Sequence, residues 1–156
     1  MSSDILLVIE QYLLDTALHP TTDLYALIGG KSQCGAGPDQ ADPLIDVTTN
    51  PTETCLLLRY LSRISKIDVS GYSTTHLARV NWQIEINCIS KASGAAASDA
   101  ADAVEALLLP DSDVAYDGST DKIHVDSISR VPQWDSGANF YRECLTIRGN
   151  WWFAKE

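Results

Sequence analysis

The chain has 156 residues, 45% of them hydrophobic and 21% charged, and its 21 acidic against 11 basic side chains leave a formal net charge of -10. That size and composition suit a single domain over residues 1–156, able to bury roughly 70% of its unfolded surface. The acidic balance speaks against independent binding of DNA, RNA or anionic lipid, because phosphate contacts need a surplus of Lys and Arg.

No basic region opens the chain, and Asp4, Glu10 and Asp15 interrupt its first apolar run. Neither a signal peptide nor a membrane span of about 20 apolar residues is expected there. Ser2-Ser3-Asp4 offers caps for a helix over Ile5–Leu18, which His19-Pro20 ends. Ile5, Val8, Ile9, Tyr12 and Leu13 recur at three- and four-residue spacing, and Leu6, Leu7 and Leu14 widen that stripe. Such a helix buries two faces, one on a sheet and one, through Leu6 and Leu14, on something else. Leu24–Ile28 reads as a short strand or turn stopped by Gly29-Gly30.

Residues 29–54 are rich in Gly, Pro, Asp, Thr and Ser, with Leu44-Ile45 as their apolar pair. A loop of that length is functional, mobile or ordered by a partner. Cys55–Ser62 is dense enough in apolar residues for a central strand, while 62–75 reads equally as edge strand or loop. From Arg79 to Ser90 the alternation is nearly perfect. Val80, Trp82, Ile84, Ile86 and Cys88 face one way; Asn81, Gln83, Glu85 and Asn87 face the other. Ala95–Leu109 follows as a helix capped by Ser93 or Ser98 and closed by Pro110. Its alanines allow close approach to the sheet, and a core of Val80, Trp82, Ile84 and Ile86 against Val104 and Leu107 is predicted.

Asp111–Asp121 reads as a polar loop. Lys122–Val131 alternates, with Ile123, Val125 and Val131 opposite His124, Asp126 and Arg130. Pro132–Asn139 turns the chain into a long strand over Phe140–Phe153, bulged or bent at Gly149. The expected fold is therefore α+β: an antiparallel sheet of about four main strands, with the N-terminal helix and the Ala-rich helix packed on it.

The motifs that invite a chemical reading each lack residues their chemistry needs. Gly30-Lys31-Ser32 has Tyr25 where a phosphate-binding loop needs glycine, and a helix-breaking stretch follows it. Asp111, Asp113, Asp117 and Asp121 lack the glycine and glutamate of a helix–loop–helix calcium site. His19, His76 and His124 are scattered, and Cys34, Cys55, Cys88 and Cys144 contain no Cys-x-x-Cys pair, which favours free thiols in a reducing, cytosolic setting. A Cys144–His124 dyad requires their strands to pair. No enzyme, metal or cofactor is indicated. Trp151-Trp152-Phe153 puts large rings on both faces of the last strand, which two-sided burial and a partner contact explain equally well.

The succession of an N-terminal helix, a long loop, Pro51-Thr52-Glu53-Thr54-Cys55-Leu56-Leu57-Leu58-Arg59, the alternating strand, the Ala-rich helix and two closing strands ending near Trp152 resembles the tail terminator family of long-tailed bacteriophages, also called tail completion or minor capsid proteins. The resemblance covers about two-thirds of the chain as a pattern of elements. It implies a non-enzymatic virion subunit, assembled in the host cytoplasm, that forms a homo-oligomeric, hexameric ring at the tail or neck. The ring would cap the tail tube, end its polymerisation and join tail to head, with the tube protein and head–tail connectors as partners. Leu6, Leu14, Trp151 and Trp152 are then the candidate inter-subunit contacts. DNA would pass through the lumen without specific binding, repelled by like charge. Another connector of the neck, or a small cytosolic ligand-binding or regulatory α+β domain with 29–54 as its lid, are the alternatives.

Overall fold

The computed structural model describes residues 5–15, 24–29, 32–35, 54–68, 77–108, 112–114, 122–135 and 140–154. Its elements in chain order are α1 (Ile5–Leu14), α2 (Leu24–Ile28), β1 (Ser32–Gly35), β2 (Thr54–Asp68), β3 (Leu77–Ser90), α3 (Gly94–Leu107), β4 (Ser112–Val114), β5 (Lys122–Asp135) and β6 (Phe140–Ala154). The strands form one six-stranded sheet in the order β1-β2-β3-β6-β5-β4. Its four long strands are antiparallel, as the alternation predicts; β1 joins parallel to β2, and β4 antiparallel to β5. The fold is α+β.

One face of the sheet carries the helices. Leu56 and Leu58 of β2, Trp82, Ile84, Ile86 and Cys88 of β3, Leu145 and Ile147 of β6, and Ile123 and Val125 of β5 lie in one cluster. Ile5, Ile9, Leu13, Leu24, Ile28, Ala100, Ala101 and Val104 from the helices complete it. Trp82, Ile84, Ile86 and Val104 are buried, and Leu107 packs on the cluster half-buried. The Val80 side chain lies outside the described residues.

Alanine at 97, 100, 101 and 103, all buried, brings α3 close to β3 and β6. Ser93 caps α3, its hydroxyl accepting from the Ala96 N–H at 3.1 Å. Ser98 has another role: its Oγ accepts from Nη2 of Arg130 at 2.8 Å. The same guanidinium reaches Asp102 at 2.5 Å and Glu143 at 3.1 Å, tying α3 to two strands.

Several local expectations change. Leu24–Ile28 is helical rather than strand or turn, because it packs between α1, α3 and β2. β2 continues as strand to Asp68, β4 lies within the stretch read as polar loop, and β5 runs through Pro132 to Asp135 instead of turning. β6 is continuous through Gly149; the irregularity lies opposite, in β5 between Val125 and Ser127. There Asp126 is an extra residue, and one extra residue exchanges the two faces of everything beyond it. Ile123 and Val125 face the helices, but so do Ile128 and Arg130, while Val131 is turned to the opposite side and exposed. The predicted grouping of Val131 with Ile123, and of Arg130 with His124, is therefore reversed.

Candidate interface

On α1, Ile5, Leu6, Val8, Ile9 and Leu13 are buried. At 3.6 residues per turn these positions cover one arc, and residues 7 and 14, seven apart, fall together outside it. Leu6 is 1% exposed and belongs to the core, which corrects its assignment to an outward contact. The exposed leucine is Leu7, at 46%, beside the half-buried Leu14. On the neighbouring α2, Tyr25 and Leu27 are also exposed. Sequence spacing could have found Leu7, since it alone among the first leucines is i+7 to Leu14.

Trp151 pairs with Val80 and Ile123, and Trp152 with Arg79 and Lys122, so β6 lies inside the sheet at both tryptophans. Trp151 shares the parity of the core-facing Leu145 and Ile147, and Trp152 has the opposite parity. Their side chains lie outside the described residues, as do Lys31 and Asp111, Asp117 and Asp121 of the motifs set aside above, and all of 29–54 except Gly29, β1 and Thr54.

The face without helices is polar, yet not solvated as its alternation suggests. Glu85 and Asn87 are buried there. Arg59 donates to both Glu85 oxygens through Nη2, at 3.0 and 3.1 Å, and Asn87 donates to Glu85 at 2.6 Å. Burial alone would raise the Glu85 carboxyl, but hydrogen bonds from Asn87 and Arg59, the Arg59 charge and the Cys144 thiol outweigh it and hold the group below its ordinary range. A carboxylate lowered in the folded state contributes stability above its unfolded pKa of about 4.3, and that contribution disappears as pH falls through the lower native value. The urea midpoint of wild type should thus exceed that of Glu85→Gln at neutral pH. The gap should close progressively below about pH 4.3. A gap independent of pH would contradict an ionised, network-bound Glu85.

Cys144 is not a poised nucleophile. Burial, then the charge of Glu85 and the hydrogen bond to it, push its thiol up to about 11. Nor does His124 reach it: Cys144 pairs with Val131, whereas His124 pairs with Asn150, six residues further along β6. At about 3.4 Å per residue that is roughly 20 Å. The strands pair, but in a register that separates the two groups. His124 instead faces Asp126 at 3.6 Å. Among the described residues Cys55, Cys88 and Cys144 form no disulfide, no group of His, Cys, Asp and Glu could hold a metal ion, and no helix is long and apolar enough to cross a membrane. A depression between the start of α3 and the β5–β6 end is lined by Gly94, Ala97, Pro132, Tyr141 and Arg142, and is broad and open rather than enclosed.

No family model and no curated protein matches the sequence. Among solved structures, one chain of a virion of a native gene transfer agent particle is similar over 96% of this chain and 95% of its own, with a TM-score of 0.57 and 19% identity. What the two chains share at that identity is the fold.

Proposed function

We propose that the chain is a structural subunit of a phage-like virion and works as a tail terminator. On this reading it forms a hexameric ring that caps the tail tube, ends its polymerisation and supplies the surface for joining to the head. The observation that carries the reading is the likeness in fold to a gene transfer agent virion chain, which spans nearly all of both chains. The separation of His124 from Cys144 and the raised thiol of Cys144 fit a protein acting through surfaces and not through a catalytic group. A net charge of -10 suits a lumen through which DNA slides without adhering. The partners are further copies of the chain, the tail-tube protein and a head–tail connector, within the tail or neck of the virion.

Light scattering coupled to size-exclusion chromatography tests this. The expected mass is about six times the 17.0 kDa of the chain, alone or on mixing with tail-tube protein. Rings that bind tube ends and limit tube length support a terminator; rings that bind the head connector alone make it another neck protein. A chain that remains at 17.0 kDa at high concentration, with or without tube protein, overturns the ring.

A further inference from the structure

Among the described residues, the two outer edges of the sheet are each half covered, and the uncovered halves lie at opposite ends. β1 stands outside β2 only at Leu56–Arg59. Through the ladder, Leu56 to Arg59 share their rows with Pro132 to Ser129 of β5. β4 stands outside β5 only at Ile123–Val125, on rows that reach Arg63 and Ile64 of β2. Among the described residues, no strand lies outside β2 from Leu61 to Asp68, nor outside β5 from Asp126 to Asp135. A strand edge without a neighbour presents a row of N–H and C=O groups that another strand can satisfy.

We propose that β5 of one subunit pairs antiparallel with β2 of the next, so that the sheet continues from copy to copy around the ring. This rests on the ring reading above and names its joint. Three features select a second copy as the occupant. First, the strand directions alternate from β2 through β3 and β6 to β5, so a following copy in the same orientation presents its β2 antiparallel to β5. Second, the coverage is stepped: with the copies staggered along the strands, β4 passes beyond the end of the neighbour's β2 and β1 beyond the end of β5. Closing a sheet on itself requires a stagger of this kind. Third, the edges differ in charge. In an acidic chain, the open part of β2 carries Arg63 and Lys66 against Asp68. The open part of β5 carries Asp126 and Asp135, while Arg130 is engaged by Asp102 and Glu143.

Each edge also shows an apolar side chain to solvent, Leu61 at 43% and Val131 at 52%. Pro132 removes one donor from the β5 row, so pairing is centred on Ser127–Val131. The joint is heterologous: the two edges are different surfaces, and only a head-to-tail arrangement matches them.

The test uses two single variants of the full chain, Leu61→Glu to set an acid against the β5 edge and Val131→Lys to set a base against the β2 edge. Both sites are exposed, and circular dichroism with urea unfolding verifies the fold; Ser62→Glu and Ser129→Lys, also exposed, are the second pair. Each variant alone should lose the ring and run at the mass of one chain. Mixed in equal amounts, they should combine again into species larger than one chain, because each retains the edge the other has lost and the two altered edges carry opposite charges. Wild-type rings with variants that still assemble overturn the edge pairing and leave the ring intact. Folded monomeric variants that do not combine on mixing overturn it as well. A wild type with no ring overturns the underlying reading instead.

Discussion

Truncating Trp82 to alanine should lower the stability of the fold by about 3–5 kcal/mol, the largest effect expected of any single side chain here. The indole is 3% exposed and sits in the cluster that α1, α2 and α3 close over the sheet. Its removal leaves a cavity that cannot collapse readily, because it lies directly on backbone: the ring edge rests against Gly149 of the adjacent β6. The indole N–H is buried and has no partner among the described residues, so Trp82→Phe removes an unsatisfied donor along with volume and should cost much less than alanine. Urea unfolding followed by circular dichroism reads both. A loss under ~1 kcal/mol for Trp82→Ala would remove Trp82 from the core.

Gly149→Ala should destabilise by about 3 kcal/mol, an unusual result for adding one methyl group. A Cβ at this position would stand 2.2 Å from the His124 carbonyl oxygen and 2.3 Å from Cζ2 of Trp82. The ring could give way, but the carbonyl belongs to β5 beside the Asp126 bulge and moves only with the strand. Glycine is needed for close approach, not for an unusual backbone angle. The two substitutions should therefore be non-additive: in a Trp82→Ala background the ring clash vanishes and the carbonyl clash remains. A double-mutant cycle should give a coupling of about 1 kcal/mol or more. Full additivity would show that indole and glycine do not share this contact.

Alternation and helical spacing carried a large part of this protein in its sequence. The period-two pattern of residues 79–90 specified a strand, its buried face and the identity of Trp82, Ile84 and Ile86 as core. Alanines at three- and four-residue spacing specified α3 to within two residues, while the choice between Ser93 and Ser98 as its cap was left to the structure. These signals are local: they depend on how side chains project from one element, which the chain states directly. The α+β class followed from the order of such elements.

The remainder depended on neighbours distant in sequence. Leu6 and Leu7 are the same residue type side by side, and only the placement of α1 against β1, β2 and α2 decides that Leu6 is core and Leu7 is surface. Glu85 and Asn87 have the alternation of a wet face but are buried, because Arg59 and Cys144, brought in from β2 and β6, meet the carboxylate there. The separation of His124 from Cys144 is a matter of register, to which neither residue's own segment is sensitive. The extra residue at Asp126 is the sharpest case. Composition and spacing over 122–131 are those of an unbroken strand, and on that basis Arg130 belongs with His124 and Val131 with Ile123. Where β5 must pass Gly149, pairing with β6 skips one residue, and that single step turns Arg130 inward to hold α3 and Val131 outward onto the open edge. A slip of one residue reverses every side chain beyond it, so the partner strand, rather than the strand's own sequence, decided which of these two residues braces the fold and which is turned to the surface.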